Sequence, residues 1–189
     1  NLEYLPVAVI RKYFSKIIIL DVSTSLLEMA QKRINTMGLD DIVSVLEHDF
    51  TADSVFKHLP SQGSVDIITM SYSLSMIPDK KQALVNASKL LKDKGEGILA
   101  IADFFLHGNH DDALPPTQAV FRSWESEFHR WWFANDKVFL LDDKLFGCVG
   151  NTLNNIWDKR FRGAVPFIPM LQPFHGVYML SKGNEVGGK

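Results

Sequence analysis

The first hundred residues alternate between short apolar runs and segments whose apolar positions have helical spacing. Four runs of this kind predict buried strands: 17–20, 42–46, 65–70 and 98–105. Helical spacing around them predicts four helices: 2–13, 25–37, 53–58 and 79–92. Strands that alternate with helices pair in parallel through crossover connections. The pattern therefore predicts a doubly wound α/β fold with a mostly parallel sheet.

The pattern changes after residue 106. A polar loop is predicted over 107–116 and is followed by aromatic residues three or four positions apart, between 121 and 132. This spacing predicts an aromatic helix face. Two apolar runs near the end, 165–168 and 177–180, predict a terminal antiparallel hairpin.

Composition excludes several classes of protein. Of the 189 residues, 46% are hydrophobic and 22% are charged, which is typical of a globular chain and excludes general disorder. The formal charge of -2 argues against a nucleic-acid partner, because phosphate binding requires clustered positive charge. The single cysteine, Cys148, forms no internal disulfide. No apolar run approaches the roughly 20 residues of a membrane span, so we expect a cytoplasmic protein with at most peripheral membrane contact.

Candidate binding residues stand at the ends of three predicted strands, where doubly wound sheets bind their ligands. Asp21 follows the first strand, and a carboxylate there can accept both hydroxyls of a ribose. Asp49 follows the second and can accept an adenine amino group, with Phe50 packed on the ring. Ser71 and Tyr72 end the third, near the reactive end of a nucleoside cofactor.

Each of these residues also has an ordinary structural explanation. Asp21 can cap the following helix, Asp49 can shape a turn, and Tyr72 can be a half-buried tyrosine. Asp21 would also suit a nicotinamide dinucleotide, as in a dehydrogenase. The Asp49–Phe50 pair and the polar run from Ser71 argue against that alternative.

The glycine-rich turn of nucleotide-binding sheets does not occur before Asp21. The predicted helix 2–13 has the position of the helix that follows such a turn. We therefore expect that the first strand and the glycine turn are missing and lie upstream of Asn1, so that the chain is truncated at its N-terminus.

The run S-Y-S-L-S-M-I-P-D, from Ser71 to Asp79, closely resembles a motif of S-adenosylmethionine-dependent methyltransferases that make betaine lipids. These enzymes form the N-methylating half of diacylglyceryl-trimethylhomoserine synthases. The resemblance covers nearly the whole chain. It extends to five further stretches: Ile18–Asp21, Glu47–Phe50, Ile101–Phe104, Trp131–Val138 and Val165–Pro169.

The resemblance implies a Rossmann-like methyltransferase fold with S-adenosyl-L-methionine as cofactor. It implies that Asp21 holds the ribose hydroxyls, and that Asp49 with Phe50 holds the adenine. Ser71 and Tyr72 would then border the methyl sulfonium. The turn before the fourth strand, at 92–97, lacks the family's usual Pro-Gly-Gly, a departure that we expect to alter only the turn.

The resemblance also implies the organisation and partners of the chain. Residues 1–106 would be the cofactor-binding part, incomplete at the N-terminus. Residues 107–189 would be an aromatic-rich, substrate-side extension and hairpin of the same domain. The acceptor would be a lipid or small-molecule amine, and a fused or associated aminocarboxypropyl-transferase domain would build the homoserine headgroup.

Methyl transfer to an amine requires a neutral amine, so a group that accepts its proton helps the reaction. Tyr72 is the first candidate near the amine, followed by Asp103 and His107 at the next strand end. His129 is a third candidate. For both histidines, packing or solvent exposure is the ordinary alternative.

Aromatic faces attract quaternary ammonium groups. Trp131 and Trp132 are therefore candidates for the substrate site, together with His129. A plain hydrophobic seam against the sheet is the alternative role for these aromatic residues.

Two other functions remain open. A methyltransferase of the same fold can act on a soluble small molecule, and a non-catalytic domain can retain the fold for contact with a partner or a membrane surface.

Overall fold

The computed structural model describes most of the chain, which forms two compact units, Asn1–Leu59 and Pro60–Lys189. The described residues are 5–106, 124, 127–131, 133–135, 137–142, 145–146, 152–162 and 174–183.

The first unit contains two helices and a parallel pair of strands: α1 (Val7–Tyr13), β1 (Ile17–Asp21), α2 (Thr24–Met37) and β2 (Val43–Glu47). The strands pair in register from Ile17 opposite Val43 to Asp21 opposite Glu47. A short 3₁₀ helix at Asp53–Lys57 follows β2. The predicted strands and helices of this unit are all present, with bounds shifted by a few residues.

The core of the first unit joins α1 and α2 to the strands. Ile10, Ile34, Leu39 and Val43 are all buried in one cluster. Helix α2 ends at Gly38, whose φ of 62° lies in the left-handed region that glycine adopts without steric cost. The sequence correctly placed the end of α2 at this glycine.

Two helix starts differ from the sequence prediction. Helix α2 is capped by Ser23, whose Oγ accepts a hydrogen bond from the Leu26 amide at 3.4 Å, whereas the sequence placed the cap at Ser25. Ser25 was selected because Glu28 follows it at capping-box spacing. Helix α1 begins only after Pro6, which is its N-cap.

The second unit is built on a four-stranded sheet in the order β3-β4-β6-β5. Strands β3 and β4 are parallel, and β6 pairs antiparallel with both β4 and β5. Among the described residues, its elements are β3 (Ile67–Ser71), α3 (Lys80–Leu90), β4 (Ile98–Phe105), β5 (Leu153–Arg162) and β6 (Phe174–Lys182).

Helix α3 carries the apolar face that its sequence predicted. Asp79 caps it, since Oδ1 accepts a hydrogen bond from the Gln82 amide at 2.9 Å. Ala83, Leu84 and Ala87 are fully buried. No helix in the part of the chain that the structure describes is long and apolar enough to cross a bilayer.

The terminal hairpin exists, but its first strand was predicted in the wrong place. The strand that pairs with β6 is β5, which ends at Arg162, before the predicted run 165–168. That run lies outside the described residues. Strand β5 pairs only with β6 among the described strands, and most of its residues are exposed, including the charged Lys159 and Arg162. A search for apolar runs therefore misses it.

Candidate active site

Two predicted cofactor residues lie at one edge of the first unit. Asp21 is the last residue of β1, and Asp49 follows the end of β2. Because β1 and β2 are parallel neighbours, their carboxyl ends meet at the same edge. The His48 amide also donates a hydrogen bond to the Asp21 carbonyl at 3.1 Å. The structure thus brings these residues together as the sequence predicted.

Asp21 shapes the turn into α2 and keeps one carboxylate oxygen available. Its Oδ1 accepts a hydrogen bond from the Ser23 amide at 2.9 Å. Within the described residues, no hydrogen bond occupies Oδ2. The structural role and the ligand role are therefore compatible, and the half-buried carboxylate fits a pair of hydroxyl groups.

Asp49 likewise combines a turn with an open acceptor. Its Oδ1 accepts hydrogen bonds from the Thr51 hydroxyl at 2.7 Å and the Thr51 amide at 2.8 Å. These two bonds hold the pKa of the Asp49 carboxyl below its usual value. The carboxylate is therefore ionised at neutral pH and able to accept an amino group, with the half-buried Phe50 next to it in the chain.

The turn after β3 holds Tyr72 in an unusual backbone conformation. Ser71 is the exposed last residue of β3, and Tyr72 has a φ of 51°, in the left-handed region. Such a conformation costs a residue other than glycine about 1–2 kcal/mol. The Tyr72 amide compensates in part by donating a hydrogen bond to the Ala102 carbonyl at 2.7 Å. The side chain is 44% exposed.

An aromatic row crosses the second unit next to Tyr72. Phe104 on β4 and Phe161 on β5 are the cross-strand partners of His175 on β6, so the three rings share one face of the sheet. Ring centroids are 4.9 Å apart for Phe104 and His175, and 5.5 Å for Phe161 and His175. Tyr72 and Phe133 each lie 5.0 Å from Phe104.

The Tyr72 hydroxyl lies 2.9 Å from Nδ1 of His175. Burial lowers the pKa of His175, and the negative charge of Asp103 opposes that effect. His175 therefore favours the neutral form near pH 7, in which one ring nitrogen can accept a proton.

Asp103 lies on β4 but on the opposite face from Phe104, and it is fully buried. Its Oδ2 accepts a hydrogen bond from the Ser75 amide at 2.9 Å, and its Oδ1 accepts one from the Phe104 amide at 2.8 Å. Asp103 thus ties β4 to the turn that carries Tyr72. Its role near an amine remains a prediction.

For the other predicted site residues, the structure gives only the burial of two and does not describe two more. His129 is buried, whereas Trp131 is 62% exposed. His107 and Trp132 lie outside the described residues. No group of three His, Cys, Asp or Glu side chains in the described part of the chain is placed to hold a metal ion.

A family comparison identifies the first half of the chain. Residues 5–96 match the profile of a family described as a methyltransferase domain. This part of the chain is the methyltransferase domain of an S-adenosylmethionine-dependent enzyme. No curated protein matches it in sequence.

Solved structures confirm the fold of this methyltransferase. YcgJ of Bacillus subtilis is 13% identical with a TM-score of 0.63, over 94% of this chain and 86% of that one. A Galdieria sulphuraria protein, provisionally named a sarcosine dimethylglycine methyltransferase, is 14% identical with a TM-score of 0.64, over 94% and 73%. Likeness at this identity establishes the fold, so the prediction of a Rossmann-like methyltransferase fold with a C-terminal antiparallel hairpin is confirmed.

A third neighbour bears on the cofactor. The geranyl diphosphate C-methyltransferase of Streptomyces coelicolor was solved with Mg²⁺, geranyl diphosphate and S-adenosyl-L-homocysteine. It is 12% identical to this methyltransferase with a TM-score of 0.65, over 93% of this chain and 66% of that one. The predicted cofactor, S-adenosylmethionine, is confirmed by the family and the fold together.

Sequence reasoning missed His175 as a partner of Tyr72 in this methyltransferase. The two residues are 103 positions apart, and no local motif connects them. Register supplies the connection, because His175 is opposite Phe104, close to the end of β4. A correct placement of the hairpin strands is the signal that would have revealed it.

Proposed function

We propose that this methyltransferase is an N-methyltransferase, and that its acceptor is the amino group of a homoserine-headed glycerolipid, which it converts to the trimethyl betaine lipid. One observation carries the proposal. The accessible Tyr72 hydroxyl stands at the carboxyl end of β3, hydrogen-bonded to His175 and beside the ring of Phe104. This arrangement suits an amine that must lose a proton and gain methyl groups.

The chemistry divides between cofactor and protein. When bound, the sulfonium of S-adenosylmethionine supplies an already activated methyl group. The protein must orient the amine, exclude water and keep the amine neutral. The Tyr72 oxygen can accept a hydrogen bond from the amine, which orients the nitrogen lone pair.

The aromatic rings near Tyr72 favour a cationic product. Each methyl transfer brings the acceptor closer to a permanently charged ammonium, and aromatic faces stabilise such a cation by about 0.5–2 kcal/mol. The ring centroids of Phe104 and His175 lie 5.0 and 5.8 Å from that of Tyr72, and Phe133 lies 5.0 Å from Phe104. We assign to Trp131, whose side chain is 62% exposed, a further aromatic face for the acceptor.

Residues of the first unit would hold the cofactor. We assign the ribose hydroxyls to Asp21 and the adenine to Asp49 and Phe50. Ser71 and Tyr72 would border the methyl group. Each residue uses Oδ1 for its own turn, and no other described residue bonds to the second carboxylate oxygen of Asp21 or Asp49, which supports these roles.

The lipid acceptor is supported by the motif resemblance and by exposed aromatic surface. The Ser71–Asp79 run resembles a motif of the betaine-lipid enzymes, and Trp124 is 77% exposed near Trp131 in the chain. Exposed tryptophans are suited to the polar–apolar boundary of a lipid surface. A fused or associated domain that builds the homoserine headgroup belongs to the same proposal.

A soluble amine is the second candidate. The fold alone does not indicate which acceptor is used. The similar Galdieria protein is named for methylated glycines, whereas the Streptomyces enzyme is named for a carbon acceptor. The experiment incubates the full-length protein with S-adenosylmethionine and either diacylglyceryl-homoserine in detergent micelles or free dimethylglycine. Mass spectrometry then counts the methyl groups gained by each.

We expect the lipid to gain up to three methyl groups with stoichiometric release of S-adenosylhomocysteine. Methylation of dimethylglycine alone would move the assignment to the soluble acceptor. Methylation of neither amine, by a protein that binds S-adenosylhomocysteine in calorimetry, would refute N-methylation.

A further inference from the structure

His175 is held by the fold in one orientation. The ring of Phe161 lies nearly parallel to the imidazole, with an interplanar angle of 7°, and Phe104 packs on it at 4.9 Å between centroids. Both neighbours are cross-strand partners, so the sheet itself fixes the ring. Nδ1 is thereby kept 2.9 Å from the Tyr72 hydroxyl.

We propose that Tyr72 and His175 form a proton relay, in which Nδ1 of His175 receives the hydroxyl proton of Tyr72 while the Tyr72 oxygen receives a proton from the methyl acceptor. The proposal rests on the proposed amine acceptor. An N–H bond of the acceptor breaks and a Tyr72 O–H bond forms. The original Tyr72 O–H bond breaks and an N–H bond forms on His175.

The charges balance in this relay. A cationic ammonium becomes a neutral amine, the neutral imidazole becomes an imidazolium, and Tyr72 begins and ends as a neutral phenol. No oxidant or further reactant is required. His175 is partly exposed, so the proton can pass on to water.

The strained backbone of Tyr72 is consistent with a functional position. A left-handed φ outside glycine persists where the surrounding structure maintains it, and such residues cluster at active sites. Here the Ala102 carbonyl holds the amide of Tyr72, and His175 holds its hydroxyl. The side chain is thus fixed at both ends.

The surroundings of His175 keep the imidazole in its neutral form near neutral pH, so that Nδ1 is available to accept a proton. Burial lowers its pKa, and Asp103, on the other face of β4, partly offsets the effect. From β5, register places Lys159 on the same face as Phe161, while Arg160 is directed at the hydroxyl of Tyr178 on the opposite face. Among the described residues, Tyr72 is the titratable group that directly contacts the imidazole of His175.

The first test reads the ring nitrogens without any substrate. Long-range ¹H–¹⁵N spectra of the ¹⁵N-labelled full-length protein report which nitrogen of His175 carries the proton. We expect a proton on Nε2 and a hydrogen bond accepted at Nδ1, with the Nδ1 signal displaced in Tyr72→Phe. The matched control is Tyr13→Phe, another exposed tyrosine, which should leave that signal unchanged.

The second test measures kcat and KM against pH, with diacylglyceryl-homoserine micelles as the probe. The variant His175→Gln retains an acceptor for the Tyr72 hydroxyl but cannot take up a proton. We expect it to lower kcat by about 10²-fold with little change in KM. The acid-side fall of kcat, caused in the wild type by protonation of His175, should disappear.

The outcomes separate the relay from a purely positioning role and from the proposed function. A wild-type kcat in His175→Gln would overturn the relay. So would a protonated Nδ1 whose ¹⁵N signal is unchanged by Tyr72→Phe. A folded His175→Phe whose kcat is as low as that of His175→Gln would support the relay, because neither side chain takes up a proton. Absence of turnover with every amine refutes the proposed function alone, since the nitrogen spectra decide the hydrogen bond independently.

Discussion

Tyr72 combines three local features that rarely occur in one residue. Its φ is positive, its side chain is accessible, and its hydroxyl is bonded to a histidine from a distant strand. The sequence alone singled out Tyr72 by its position after an apolar run. It gave no information on the backbone strain or on His175, because both depend on how β3, β4 and β6 align.

Asp49 offers a test of local electrostatics. Replacing Thr51 by valine removes the hydroxyl that donates to Oδ1, while Thr51→Ser retains it. We expect the pKa of Asp49 to rise toward its ordinary value in the valine variant only, as measured by carboxyl NMR titration.

The effect of Thr51→Val on stability should depend on pH. A lowered carboxyl pKa stabilises the fold above the unfolded value of about 4, and this contribution is lost as pH falls through the folded value. Thr51→Val should therefore lower the free energy of unfolding more at pH 7 than at pH 3. An equal loss at both pH values would contradict the hydrogen bond's role.

Trp131 tests whether exposed aromatic surface takes part in acceptor binding. We expect Trp131→Ala to raise KM for the lipid several-fold while the melting temperature stays nearly constant, because the side chain is 62% exposed. The control is Trp157→Ala, a 48% exposed tryptophan on β5. If activity follows only the folded fraction in both variants, Trp131 has no binding role.

Strand β4 shows why some elements are predictable. Its residues alternate between half-buried and buried along its whole length, and its observed bounds, Ile98–Phe105, are those predicted. A largely apolar run of this length is typical of a buried strand in a parallel sheet, so the sequence predicts it directly. Strand β5 is the opposite case, since most of its residues are exposed and its charged residues at 158–160 interrupt any apolar run.

Asp103 ties two elements together, so its loss should affect stability. Asp103→Asn replaces one carboxylate oxygen by a donor and leaves a backbone amide, of Ser75 or Phe104, without its acceptor. We expect a loss of about 1–3 kcal/mol in denaturant unfolding. Asp66→Asn, which affects an exposed ion pair with Lys92, should cost much less.

Gly176 tests the packing between β4 and β6. A Cβ at this position would lie 2.5 Å from two carbon atoms of the Phe105 ring. We expect Gly176→Ala to destabilise the protein by about 1–3 kcal/mol, measured by thermal unfolding. Gly183→Ala meets only the mobile end of Asn154, at 2.8 Å, and should be tolerated better. Equal effects at both glycines would contradict this account of the packing.

At the scale of the whole molecule, the fold was predictable and the acceptor was not. Alternation of strands and helices led to the Rossmann-like fold, and residues 21 and 49 were correctly placed at one sheet edge. The proposed acceptor side depends on a face assembled from β4, β5 and β6, whose residues are distant in sequence. Residues that come together from distant strands produce no periodic pattern in the sequence, so the sequence alone does not predict such a face.

The central claim is that the methyl acceptor reacts beside the Tyr72 hydroxyl. The most direct measurement compares kcat of Tyr72→Phe with that of Tyr13→Phe on diacylglyceryl-homoserine, alongside calorimetry of S-adenosylhomocysteine binding. We predict that Tyr72→Phe loses about 10²-fold in kcat while its affinity for S-adenosylhomocysteine is unchanged, and that Tyr13→Phe behaves as wild type. Equal kcat values for the two folded variants would contradict the account.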